Sequence, residues 1–304
     1  MTDTEVLAAP AAIARWAQAW LDPGVTAVRE ASSSHASSQV WELTMSDGLQ
    51  VEVKVVETLG LFTQEILAYS RAVPAPRRQE PRLLAYTPSR NAFVTNALPG
   101  TGASALSNAF TRPYEESAVR QHAARLLGEL HKGPVPTSEA EARAAAEKRL
   151  LDLLTTTDRH LEDLRDVLSD QQLALAMGRR ARLLRVKTFL PVGFVHGSFR
   201  ETNWVWGREA GMGLTGFEDA GYGYLVGDFA RLAMGAWTLN PSLRELSLDA
   251  YGRPLTAEED VALTAFTGLE AVAEIASAYS SSDTHDSRAA ALQILDRQTG
   301  AGLW

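Results

Sequence analysis

Phe194-Val195-His196-Gly197-Ser198-Phe199-Arg200-Glu201-Thr202-Asn203 is the stretch on which the fold turns. An apolar run around Val192 to Val195 leads into it and reads as a strand. Trp204 to Trp206 and Met212 to Phe217 read as two more short strands beyond it. Trp204 and Trp206 alternate, so one ring is expected in a core and the other on the opposite face. Gly216-Phe217-Glu218-Asp219-Ala220-Gly221-Tyr222-Gly223 comes next, then Asp228-Phe229-Ala230-Arg231-Leu232, with Asp228 twelve residues after Gly216.

Working back toward the N-terminus, Val40 to Met45 and Leu49 to Val56 are strand-like and joined by Ser46-Asp47-Gly48, a hairpin signal. Val51, Val53 and Val55 share one face by the period of two, which puts Glu52 and Lys54 on the other. A Ser-rich loop, Ala31 to Ser38, precedes the hairpin, and a helical pattern from Leu61 to Ala72 follows it. Asn91 to Ala97 is a further strand, broken at Leu98-Pro99-Gly100. From there the pattern is helical. Glu115 to Lys132 carries apolar residues at helical spacing and stops at Gly133-Pro134. Ser138 with Glu141, and Thr256 with Glu259, form capping boxes for helices running toward Leu154 and Tyr279. The expected organisation is a strand-rich N-terminal lobe over residues 1–98 and a mainly helical C-terminal lobe over residues 99–304.

Three constellations in this order resemble the aminoglycoside-phosphotransferase and choline-kinase group, whose fold is similar to that of protein kinases. Lys54 on a strand with Glu65 on the next helix resembles the pair that positions nucleotide phosphates. Phe194 to Asn203 resembles the catalytic loop, in which His196, Gly197 and Asn203 match while Ser198 stands where the family has aspartate. Gly216 to Gly223 with Asp228 resembles the metal-binding segment, with Gly216 in place of the metal-binding aspartate. The resemblance implies an α+β, two-lobed protein-kinase-like fold with a small antiparallel N-lobe sheet and a mainly helical C-lobe. It further implies that Ser33 and Ser34 lie where the family covers the phosphates, that Asn203 faces the metal, and that His196 holds the loop backbone.

Composition bounds the function. The chain has 304 residues, no cysteine and a formal net charge of -8, so a disulfide framework is excluded and binding to nucleic acid is disfavoured. No basic leader opens the chain and no apolar run approaches the ~20 residues of a membrane span, so a soluble, cytoplasmic protein is the expectation.

The two substitutions set the chemistry. A serine hydroxyl is no base at neutral pH, and glycine brings no ligand to Mg2+. The leading expectation is therefore a pseudokinase that binds a small molecule, nucleotide or peptide in the interlobe cleft. One alternative is an active ATP-dependent phosphotransferase on a hydroxyl of an antibiotic, small molecule or peptide Ser/Thr, with Asp219 or Glu218 holding Mg2+ and Glu201 as substitute base. Another is a different reaction on the same fold, served by Glu201, Glu218 or Asp219 without any nucleotide.

Overall fold

The computed structural model describes residues 15–19, 21, 24–31, 38–72, 81–103, 113–133, 138–207, 211–280, 292 and 295–296. In chain order the strands are β1 (Val25–Glu30), β2 (Ser38–Met45), β3 (Gln50–Val56), β4 (Leu83–Thr87), β5 (Ala92–Asn96), β6 (Thr101–Gly102), β7 (Val192–Val195), β8 (Trp204–Gly207), β9 (Gly211–Leu214) and β10 (Gly221–Tyr224). The longer helices are α1 (Leu59–Leu67), α2 (Pro113–His131), α3 (Glu139–Asp163), α4 (Asp170–Val186), α5 (Ser242–Tyr251) and α6 (Ala257–Ser280). They form two compact units, one of residues 1–112 with Glu201–Gly221, the other of Pro113–Arg200 with residues 222–304. Residues 201–221 belong to the first unit, in which β6 pairs with β8.

The first unit is built on an antiparallel sheet of order β1-β2-β3-β5-β4. Central β3 is covered on both faces. Val51 and Val53 pack with Trp41, Leu43, Met45, Ala92 and Val94, against which Trp16 and Ala17 of the first helical turns lie. On the other face Val56 joins Phe62 of α1 and Phe93 of β5, and Lys54 shares that side. Helix α1 begins at Thr58, whose hydroxyl accepts from the Leu61 N–H at 3.3 Å, and passes into a wider turn over Ala68–Ala72. A second small sheet, β6-β8-β9, carries Trp204 fully into the core and leaves Trp206 half-buried.

In the second unit, α3 and α4 are each opened by a capping box, Ser138 with Glu141 and Ser169 with Gln172. Thr256 and Glu259 make the same exchange ahead of α6, at 2.9 and 3.2 Å. Leu161, Leu164 and Ala176 from the α3 and α4 region meet Ala271, Val272 and Ile275 of α6 in one core. Helix α6 is long and apolar enough by composition to cross a bilayer, which a search for unbroken apolar runs overlooks because Glu270 and Glu274 interrupt it. Its apolar face is spent on this core, and those two glutamates pair with Arg231.

Candidate functional site

Lys54 sits mid-strand between Val40 of β2 and Phe93 of β5, so its backbone is fixed on both sides. Its ammonium is 2.9 and 3.0 Å from the two oxygens of Glu65, which α1 presents three residues after Phe62. It also donates to Glu218 from the segment after β9. Glu65 is completely buried, whereas the Glu218 side chain is 30% exposed. The Glu218 segment is fastened on both flanks, to the wider turn after α1 and to α1 itself: the Phe217 ring stands edge-on to Tyr69 at 5.3 Å, and Gln64 Nε2 donates to the Ala220 carbonyl at 2.6 Å.

One cation therefore serves two carboxylates. Burial pushes Glu65 up to about 7, opposed by Lys54 and reinforced by Glu218 and Asp219. Burial opposes the Lys54 charge, but Glu65 and Glu218 outweigh it and hold the ammonium above its ordinary range. A carboxyl whose folded value is raised contributes stability that is complete below its unfolded value and is lost as pH rises through the folded one. For Glu65 that window runs from 4.5 to about 7. We expect Glu65→Gln to flatten the fall in stability across it, a slope that one group limits to about 1.4 kcal/mol per pH unit. Urea midpoints at about pH 5 and about pH 7.5 measure this; a slope unchanged by the substitution would contradict it.

Gly216 and Asn203 are complementary in shape. Gly216 has a φ of +74°, in the left-handed region, and a Cβ added there would lie 2.6 Å from Cγ and Oδ1 and 2.8 Å from Nδ2 of Asn203. The Asn203 amide thus fills the space a side chain at position 216 would need. Its backbone is held too, because the Asn203 carbonyl accepts from the Thr215 N–H at 2.9 Å. Asp219 is exposed and Glu201 half-buried on the short turn before β8.

In the second unit the loop after β7 is organised by Asp228, which is 5% exposed. Its carboxylate accepts from the backbone N–H groups of His196 at 2.8 Å and Gly197 at 2.7 Å, and meets His131 Nε2 at 2.9 Å. His131 Nδ1 in turn meets the Tyr251 hydroxyl at 2.8 Å. Gly197, at φ +81°, makes the left-handed turn that aims two consecutive N–H groups at one carboxylate. The buried His196 ring lies at the centre of the loop, its Nδ1 accepting from the Ser198 N–H at 3.3 Å. Burial alone would raise the Asp228 carboxyl, but the hydrogen bond and charge of His131, with His196 and Gly197, hold it below its ordinary value. That contribution to stability is present above the ordinary carboxylate range and is lost as pH falls through the lowered value.

Of the residues singled out in the sequence, Lys54, Glu65 and Glu218 form one cluster, Gly216 and Asn203 another within the same unit, and His196 and Ser198 a loop of the other unit. Ser33 and Ser34 lie outside the described residues. In the sequence, Asp228 stands out only for its spacing from Gly216, and His131 lies within the Glu115 to Lys132 helical pattern without a role of its own. Their shared role as the loop's anchor is a contact across 97 positions that no local pattern announces.

Residues 53–263, well over half of the chain, match the phosphotransferase enzyme family. The solved GDP complex of wild-type aminoglycoside 2'-phosphotransferase-IIIa superposes with a TM-score of 0.64 at 13% identity, over 91% of this chain and 94% of that one. A choline/ethanolamine kinase family protein from Mesorhizobium loti gives 0.62 at 16% identity, over 97% and 91%. A thermostable aminoglycoside phosphotransferase APH(4)-Ia variant, in a ternary complex with ADP and hygromycin B, gives 0.60 at 16% identity, over 92% and 96%. No curated protein sequence gives a match. The likeness to these structures is one of fold, and the kinase-like α+β architecture expected from the sequence is the one observed.

Proposed function

Since this chain belongs to the phosphotransferase enzyme family, we propose that it is a catalytically degenerate member that binds a small molecule, nucleotide or peptide without ordinary phosphoryl transfer. The observation that carries this reading is the Gly216–Asn203 packing. Where the family pattern calls for a metal-binding carboxylate there is none, and the amide of Asn203 takes up the volume.

The residues present do not fit Mg2+, which normally takes one or two carboxylates beside phosphate oxygens and water. Glu218 is engaged by Lys54. For Asp219 to take the glycine's place, the segment would have to slide by three residues, and its fastenings to Tyr69 and Gln64 oppose that. Among the described residues, no three His, Cys, Asp or Glu side chains gather as a metal site. Ser198, standing where the family has its base, carries a hydroxyl that stays neutral at pH 7, and losing a positioned base typically costs about 10²- to 10⁴-fold in rate. What the chain keeps is the scaffold. Lys54 is a buried cation fixed on a central strand, and Asp228 holds the backbone of the loop after β7.

Nucleotide binding is supported by the fold, whose solved relatives include ADP and GDP complexes. The competing reading, an active ATP-dependent phosphotransferase using Asp219 or Glu218, requires the metal. Thermal melting with ATP separates the two, because a ligand of the native state raises the melting point by linkage. We expect the shift with ATP to be the same in EDTA as in millimolar Mg2+; a large additional shift that needs Mg2+ would contradict the proposal.

A further inference from the structure

Lys54 in the first unit has its charge spoken for before any ligand arrives. Its ammonium gives a hydrogen bond to each of two carboxylates, Glu65 from α1 and Glu218 from the segment after β9. The lysine is 9% exposed, so a third anion has little room to approach alongside both. Of the two partners, Glu65 is wholly buried and cannot leave without stripping a charge bare in the core. Glu218 is the partner that reaches solvent.

We infer that Glu218 is an internal anion that keeps Lys54 from the phosphate of an incoming ligand, so that one carboxylate of the chain itself gates nucleotide affinity. This deepens the reading above and rests on it, because Gly216 brings no carboxylate to hold a metal cation there. Above about pH 7, where Glu65 is ionised, one ammonium with two carboxylates carries a net negative charge and repels a polyphosphate; without Glu218 the cluster is neutral and has a donor to offer. The contact is built into the unit. Phe217 on Tyr69 and Ala220 on Gln64 fix the backbone on either side of Glu218, which points its side chain back at β3. A triphosphate that docks on Lys54 must lift that side chain away, and its binding is weakened by whatever the lifting costs.

The test is a calorimetric titration of ATP in EDTA at about pH 8, where Glu65 is ionised, against the wild-type chain and Glu218→Gln, which keeps the shape and removes the charge. Glu218→Gln is expected to bind about tenfold or more tightly than wild type, the scale of one charge-assisted hydrogen bond. Adding Lys54→Met is expected to remove that gain. Affinity that is unchanged, weaker, or undetectable in both proteins would overturn the inference, as would a gain that survives Lys54→Met. Should Glu218→Gln fail to fold by circular dichroism, Glu218→Ala carries the same expectation. Turnover of ATP by the wild-type chain would sink the reading of a degenerate enzyme and leave this titration to decide the role of Glu218. A missing gain would sink the role of Glu218 and leave that reading standing.

Discussion

Asp228→Ala is expected to destabilise the second unit by about 3–5 kcal/mol, the scale for removing one partner from a buried charged network. The substitution strips the acceptor from the His196 and Gly197 N–H groups and from His131 at one stroke. Each buried donor left without a partner costs about 1–3 kcal/mol, a cost that falls most fully on the buried His196 N–H. The left-handed Gly197 turn aims both N–H groups at this one carboxylate. Asp228→Asn keeps one acceptor oxygen and is expected to lose less. Urea denaturation followed by circular dichroism reads both. A loss below about 1 kcal/mol for Asp228→Ala would show that the loop holds itself and that Asp228 is only packed beside it.

Gly216→Ala is expected to cost about 2–3 kcal/mol, of which about 1–2 is the penalty for a Cβ at left-handed φ. The remainder comes from driving the new methyl into the Asn203 amide, which lies 2.6 Å from where the Cβ must go. The two parts separate in a double-mutant cycle. Asn203→Ala opens the space and should recover the steric part, about 1 kcal/mol, while the backbone part persists. Strict additivity of the two substitutions would mean that the amide swings aside freely and does not fill the site. The cycle bears on function as well as stability, because the same volume would have to hold any carboxylate introduced at position 216.

Much of the first unit was legible in the sequence. The hairpin of β2 and β3, the side of β3 on which Lys54 lies, and the Pro99-Gly100 break all rest on period-two alternation and turn chemistry, which act over a few residues. The capping boxes at Ser138 and Thr256 were read for the same reason, and the one at Ser169 with Gln172 carries the same local signature yet was passed over. The edge strands β1 and β4 were missed for different reasons: Val25–Glu30 exposes four of its six residues, while Leu83–Thr87 alternates in burial but carries apolar Leu84 and Tyr86 on its exposed side. The site was legible as a set of residues and not as a set of contacts. Glu218 was read as a possible metal ligand, yet it answers Lys54 across 164 positions, and Asp228 meets His131 across 97. The return of 201–221 to the first unit follows from pairing between β6 and β8, and nothing within either short strand foretells its partner.

The function proposed above is that of a phosphotransferase scaffold without the carboxylates that phosphoryl transfer needs. Its most direct test is consumption of ATP and GTP by purified wild-type protein in millimolar Mg2+, with amino-sugar, choline-like and Ser/Thr-peptide hydroxyl acceptors. We predict no turnover above the protein-free rate with any acceptor. Steady Mg2+-dependent turnover that disappears in Asp219→Asn would contradict the account.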